Sequence, residues 1–353
     1  MMGRDLVVRL MPSPLKKRYY RWRGAKIGKG VSFGFFSIID ADQIEIGDHS
    51  QIGMFVRVRA RKFKMGAYSK IGKDTMIATA IVKIGNETTI QDQVVIGGLQ
   101  TRSSRIEIGD RCVIYRQSFL NPAKPIKIGN EVGIGGANYL FTHGTWSNML
   151  EGFPGTFGPI TIEDRVWLPW RVFVLPNVTI GHDSVVAAGS VISKSIPPYS
   201  LAAGVPATVK RSGEDFIREQ SREEKADTLK TMFQDFDDYL AMNRYRVRKL
   251  DSDKDIIWEG EISDKRGNHM GLLTVREVIS SDEMIEAESK IYLVSLDSIP
   301  NEFKRKIESS GGAWYQISGY LWKGKRNMMS SDIRSFLSRF GIRFKSMDLI
   351  DES

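Results

Sequence analysis

The 353-residue chain has one cysteine, four histidines and no long apolar run. Cys112 alone makes no internal disulfide, which fits a reducing compartment. No stretch approaches the ~18–20 consecutive apolar residues of a membrane-spanning helix. The first residues also lack the apolar core and small-residue cleavage site of a secretory signal, so the expectation is a soluble, cytoplasmic protein. Histidine is too sparse for a multi-histidine metal centre: His49, His143 and His182 include no close pair, and no metal is expected. A hydrophobic fraction of 41% with 26% charged residues excludes disorder as the main state. The length suggests two domains at roughly 150 residues each.

The net charge of +9 is unevenly spread. Residues 1–29 carry Arg4, Arg9, Lys16, Lys17, Arg18, Arg21, Arg23, Lys26 and Lys29 against Asp5 alone, so the remainder is nearly neutral and nucleic acid is not expected as a partner. Mixed with Leu6, Val7, Val8, Leu10, Leu15, Tyr19, Tyr20 and Trp22, these cations suit either packing against the rest of the protein or contact with an anionic membrane surface. Pro12 and Pro14 interrupt any continuous helix in this leader, residues 1–23.

What the first two hundred residues do contain is a repeat. Ile-Gly occurs ten times, at Ile27, Ile46, Ile52, Ile71, Ile84, Ile96, Ile108, Ile128, Ile134 and Ile180. Many of these open a six-residue unit such as Ile71-Gly72-Lys73-Asp74-Thr75-Met76. The pattern reads as short parallel strands joined by tight turns, the aliphatic side chain pointing to a narrow axis and the glycine permitting unusual turn geometry. Stacked coils bury a continuous core that no single coil buries alone. Three units make one coil, matching the spacing from Ile162 to Ile180, whereas Ile128 to Ile162 is nearly a coil longer. An excursion must leave the coil roughly between Asn138 and Pro159, and long excursions from a rigid scaffold tend to carry function.

Residues 24–211 resemble the hexapeptide-repeat acyltransferases. The stretch from Ile160 to Arg211, ITIEDRVWLPWRVFVLPNVTIGHDSVVAAGSVISKSIPPYSLAAGVPATVKR, is similar to the last coils of galactoside-type and polysaccharide O-acetyltransferases. The resemblance implies a left-handed parallel β-helix, a homotrimer and an acyl-CoA donor. It also implies that His143, in Tyr139-Leu140-Phe141-Thr142-His143-Gly144, is catalytic, as the histidine that precedes such an insertion.

Imidazole near neutral pH suits removal of the proton from a sugar hydroxyl, which then attacks the thioester directly. Cys112, inside a coil, reads as a core residue, and His49, His182 and His269 as ordinary exposed ones. Asn121 and Asn138 near coil corners, with Trp146 and Glu151 in the insertion, are candidates to orient the base or bind the acceptor. Gly144, Gly152, Gly155 and Gly158 make the insertion mobile enough to reach a neighbouring subunit's site. For the donor, the resemblance implies backbone contact at Ala188, a nucleotide border at Ser193 and Lys194, and phosphate-binding cations at Lys210 and Arg211. Trp170, in Val166-Trp167-Leu168-Pro169-Trp170-Arg171-Val172, stands where relatives carry a small residue. It narrows the acyl channel, obstructs it, or packs under the insertion.

Beyond the repeat, residues 212–353 read as a helix plus a small α/β or α+β domain of unassigned role. Ser212 is the expected cap of a helix whose buried face holds Leu229, Met232, Phe233, Phe236 and Leu240. Strands are expected at 255–262, 271–279, 290–296 and 313–322, with helices near 301–309 and 331–339. On the last strand Trp314, Tyr320 and Trp322 would share one face, beside Lys323, Lys325 and Arg326.

The function that follows is an acetyl-CoA-dependent O-acetyltransferase acting on a sugar hydroxyl of a surface polysaccharide or its precursor, cytoplasmic or peripheral at the inner face of the membrane. A nucleotide-sugar N-acetyltransferase and a non-catalytic β-helix scaffold stand as alternatives. A zinc-dependent β-helix enzyme of the γ-carbonic anhydrase type is disfavoured by the scattered histidines.

Overall fold

The computed structural model describes residues 2–98, 101–145, 147–243, 245–250, 256–277, 279 and 289–350, without the side chains of residues 2–5. The chain divides into two compact units, Met1–Arg218 and Glu219–Ser353.

The first unit is a left-handed parallel β-helix. Its strands form three ladders in which successive coils pair in parallel, with Ile71 on Ile90, Ile108 on Ile128 and Ile162 on Ile180. One side chain per short strand points to the axis, so Ile71, Ile90, Ile114, Ile134 and Leu168 are fully buried along one face. Non-glycine residues with left-handed φ, among them Asp74, Glu87, Gln93, Arg111, Glu131 and Arg171, occupy the corners.

The glycine of Ile-Gly has a different purpose from the one its sequence suggests. None of the ten has a left-handed φ. What nine of them lack is room, Gly97 being the exception: a Cβ on Gly85 would lie 2.3 Å from Asp110 Oδ1, and one on Gly129 would lie 2.3 Å from Asp164 Oδ1. Those carboxylates accept the backbone N–H groups of Asn86 and Asn130 from the preceding coil, at 2.7 Å each. At these positions the glycine admits the side chain that ties one rung to the next, and at Gly53 and Gly135 it admits the backbone of the next coil. A second spine runs inside the wall: Ser50, Ser69, Thr88 and Cys112 donate to the carbonyls of Gly66, Gly85, Gly109 and Gly129. Cys112 is thus a buried member of this ladder, and burial pushes its thiol up to about 12.

The leader forms two helices, Met2–Leu10 and Ser13–Trp22, parted at Pro12. The second closes the open end of the coil. Tyr20 is buried and its hydroxyl accepts the Ile39 N–H at 2.8 Å. Lys16, fully buried, donates to the Gly34 carbonyl at 2.7 Å and to the Ser37 carbonyl and hydroxyl at 2.9 and 3.1 Å. At the other end the coil finishes in an antiparallel hairpin, Ser200–Gly204 with Ala207–Ser212.

The second unit is a three-layer α/β fold on a seven-stranded mixed sheet whose strands lie in sequence order. One face packs against Arg222–Gln234, Phe236–Met242 and Met328–Ser338, joining Phe233, Phe236 and Phe336 to Tyr315 and Trp322. The other packs against Asn301–Ser309, joining Phe303 and Ile307 to Leu293 and Trp314.

Three expectations are corrected here. The long helix starts at Ser221, whose side chain makes a capping box with Glu224, and Ser212 only precedes a short 3₁₀ turn. A break at Asp235 divides its apolar face between two helices. The strand expected at 313–322 is two antiparallel strands, Ala313–Gln316 and Leu321–Gly324. Trp314 and Trp322 consequently face opposite layers, while Tyr320 sits exposed in the turn. Trp322 is fully buried beneath the guanidinium groups of Arg334 and Arg326, 4.1 and 4.8 Å from its ring. A further strand, Tyr245–Lys249, had no sequence expectation. Asp255, the expected start of the next one, lies outside the described residues; that strand is described from Ile256 to Asp264.

Lys16→Met removes three hydrogen bonds made by a charged group, and its expected cost is about 2–3 kcal/mol in urea unfolding of the coil unit. Burial lowers Lys16 to about 8 from 10.5. Between these values the unfolded chain holds more protons, so wild-type stability gains a contribution as pH rises through this window, and the Met variant should lack that gain. Equal pH slopes for the two proteins would contradict this role.

Candidate active site

The excursion leaves the coil where strand Tyr139–Phe141 ends. Thr142, fully buried, fixes the exit: its hydroxyl donates to the Asn121 carbonyl at 2.7 Å and accepts the Lys124 N–H at 2.9 Å. Its carbonyl accepts the returning Gly158 N–H at 3.0 Å, so one residue holds both ends of the loop. Between them His143–Gly144 pairs antiparallel with Thr156–Phe157, placing His143 opposite Phe157.

The imidazole is half-buried. Phe157 stacks on it with ring centres 5.8 Å apart and planes 17° apart, and Phe141 meets its edge at 6.4 Å. Its Nδ1 is buried without a hydrogen-bond partner. Aromatic packing thus positions the ring, and neither Asn121, Asn138 nor Glu151 does so through Nδ1.

Those three candidates have separate placements. Asn138 is fully buried, its amide donating to the Gly135 and Pro169 carbonyls at 2.6 Å each and accepting the Val172 N–H at 2.8 Å. It ties adjacent coils at a corner, and its expected acceptor contact is withdrawn because the side chain is wholly buried and bonded to backbone. Glu151 is exposed and accepts from the Asn148 amide at 3.0 Å. Asn121 is 6% exposed on the rung before His143, and its Oδ1 has no partner. Trp146 lies outside the described residues. The insertion carries Met149, Leu150, Phe153 and Phe157 as exposed apolar side chains, with Leu150 98% exposed.

Alternation along the strands beside His143 sends Leu120, Leu140 and Val174 inward and Phe119, Tyr139, Phe141 and Phe173 outward. The outward rings stack: Phe173 lies 5.2 Å from Tyr139 and 5.4 Å from Phe141, at 17° and 7°. This aromatic face and the anchor Thr142 were not picked out from sequence, although period-2 alternation beside each inward residue carried the signal.

The donor candidates fall into three groups. Trp170 and Ala188 occupy adjacent rungs of one corner, where the Gly189 N–H donates to the Trp170 carbonyl at 3.0 Å. The indole is half exposed and lies where a Cβ on Gly136 would be, near Tyr115 at 6.3 Å. It therefore packs on the glycine of the preceding coil. Ser193 and Lys194 are exposed at the corner that also gives rise to the insertion, two coils further on. Lys210 and Arg211 are exposed on the closing hairpin, where Arg211 pairs with Leu201. Both cations are free of ion pairs among the described residues.

Of the remaining histidines, His182 differs from its expected exposed role. Its Nδ1 lies 2.8 Å from Asp183 Oδ2, on a carboxylate also held by Arg165 at 2.6 Å. His49 stacks on Tyr68 at 5.0 Å.

No family model matches the chain. It is 49% identical over 74 residues to a putative acetyltransferase of Staphylococcus aureus strain MRSA252, covering 21% of this chain and 37% of that protein. It is 51% identical over 57 residues to the galactoside O-acetyltransferase of Escherichia coli K12, covering 16% and 28%. The chain spans less than half the length of these curated relatives. Among solved structures, a hexapeptide-repeat acetyltransferase of Vibrio cholerae in complex with acetyl coenzyme A is 24% identical, covering 60% of this chain and 84% of that one at a TM-score of 0.27.

Asn138→Ala is expected to cost about 2–3 kcal/mol of coil stability, since it strands buried carbonyls and an N–H that lose their partner. Unchanged urea unfolding with impaired acceptor use would return Asn138 to the acceptor side.

Proposed function

We propose that this protein is an acetyl-CoA-dependent O-acetyltransferase acting on a sugar hydroxyl of a surface polysaccharide or its precursor. The observation that carries the reading is the placement of His143: a half-buried imidazole with an unpaired Nδ1, at an interrupted coil edge beside an outward aromatic face. Aromatic rings suit the apolar faces of sugar rings, and a positioned imidazole suits hydroxyl activation. The curated relatives named above agree with acetyl transfer.

In this mechanism the imidazole takes the proton of the acceptor hydroxyl, and the oxygen attacks the thioester carbonyl. A backbone N–H stabilises the tetrahedral oxyanion. Collapse breaks the carbon–sulfur bond, and the imidazolium returns its proton to the departing sulfur, so coenzyme A leaves as the thiol and His143 is neutral again. No covalent enzyme intermediate is needed. Lys210 and Arg211 suit the donor's phosphates as unpaired exposed cations, and Trp170 beside Ala188 sets the width of the acyl channel. By its sequence resemblance the chain works as a homotrimer, with the exposed apolar insertion reaching a neighbouring subunit.

His143→Ala should lower acetyl transfer by 10²–10⁴-fold and leave acetyl-CoA affinity nearly intact in calorimetry, while Arg211→Ala should weaken that affinity. Retained turnover in the His143 variant would sink the assignment.

We also propose a cytoplasmic protein held at the inner face of the membrane by its leader. Leu6, Val7, Leu10, Leu15 and Trp22 are exposed among basic residues, Trp22 at 80%. Because Lys16 and Tyr20 close the coil, deletion of the leader would confound the test. Leu6→Ser with Leu15→Ser and Trp22→Ser should abolish flotation with phosphatidylglycerol vesicles, and undiminished flotation would remove the membrane role.

A further inference from the structure

Upstream of His143, on the same edge of the coil, five charged groups surround a cavity of about 420 Å³. Arg59, Arg61 and Arg102 line it with Asp40 and Asp42, and Thr79 and Thr101 add hydroxyls. No ion pair joins these acids to these bases among the described residues; Arg61 donates only to the Arg102 carbonyl, at 3.3 Å. Thr79 is 1% exposed, and its hydroxyl has no hydrogen-bond partner. Charges of both signs that do not neutralise one another, around an unsatisfied buried hydroxyl, mark a place where a ligand completes the bonding.

The edge connects this cavity to the imidazole rung by rung. The Thr79 N–H donates to the Arg59 carbonyl, the hydroxyls of Thr101 and Ser104 donate to the Ala123 carbonyl, and the Thr142 N–H donates to the Asn121 carbonyl. His143 therefore stands two rungs beyond Arg102 and four beyond Arg59, about 10–19 Å along the axis at ~4.8 Å per rung. Lys124 lies on the rung between.

We propose that this cavity holds an acidic substituent of an oligosaccharide acceptor whose hydroxyl reaches His143. Guanidinium forks match the paired oxygens of a carboxylate or phosphate, and Asp40 and Asp42 accept from ring hydroxyls. The acceptor is then an anionic glycan of several sugars, with its acidic group some 10–19 Å from the acylated position. This specificity rests on the acetyltransferase reading given above, whereas the anion site itself stands on the cavity.

The full-length protein is titrated calorimetrically with tetragalacturonate, galacturonate, inorganic phosphate and neutral maltotetraose, using wild type, Arg59→Gln/Arg61→Gln, Phe141→Ala and an Arg57→Gln control. Tetragalacturonate or phosphate should bind wild type and the control, and bind the double variant at least tenfold more weakly. Displacement of the uronate by phosphate places both in one site, and the tighter ligand identifies the acidic group. Phe141→Ala should weaken the tetramer and spare the monomer. Circular dichroism melting of each variant guards against misfolding. Absence of anion binding, equal binding to wild type and the double variant, or equal affinity for monomer, tetramer and maltotetraose overturns the proposal. Acetyl-CoA is titrated on the same preparations: if it fails to bind wild type, the acetyltransferase reading falls while a pocket-dependent anion result still stands.

Discussion

The coil depends on one repeated contact: the side-chain oxygen of an Asp or Asn in one rung accepts a backbone N–H of the rung before it, through the space left by a missing Cβ. Asp48, Asn86, Asp110, Asn130 and Asp164 all bond this way, to Lys29, Ala67, Asn86, Asp110 and Asn130. Each such bond fixes the register of neighbouring coils, and the buried aliphatic column follows from that register. The contact satisfies backbone donors at corners where no strand continues. It also makes the wall rigid, because a rung cannot shift without breaking bonds on both sides.

A stack of this kind has two open ends, and both are closed by local sequence. At the start a lysine, ordinarily a surface residue, goes fully inside because three acceptors at Gly34 and Ser37 meet its ammonium. Burying a charge this way is tolerable only with such partners. The basic leader thus divides its work: Lys16 and Tyr20 face the coil, while Leu15 and Trp22 of the same helix remain exposed.

Rigidity also gives the functional edge its meaning. The corner that bears His143 carries the arginine-lined cavity several rungs earlier and Lys194 later, so these groups are held at spacings set by the rung repeat. Side chains on such a scaffold need little reorganisation to act together. Within the insertion the imidazole is oriented by Phe157 and Phe141 packing around it, a device that leaves Nδ1 without a protein partner.

Sequence alone determined the repetitive coil and the position of the excursion, because a period imposed by stacking is written residue by residue, while the prominence of His143 came from the resemblance to the hexapeptide-repeat acyltransferases. Sequence also identified Cys112 as a core residue. Tertiary structure decided what depends on residues distant in the chain. Asn138 proved to be committed to three backbone atoms, since its partners come from the preceding turn and the following coil. Trp170 lay on Gly136, one coil back. The four-residue gap between Ala313–Gln316 and Leu321–Gly324 turned a supposed aromatic stripe into two opposite faces of a sheet. The arginine cavity was illegible for the same reason: Asp40, Arg59, Thr79 and Arg102 belong to four different rungs, and only the closing of the coil sets them side by side.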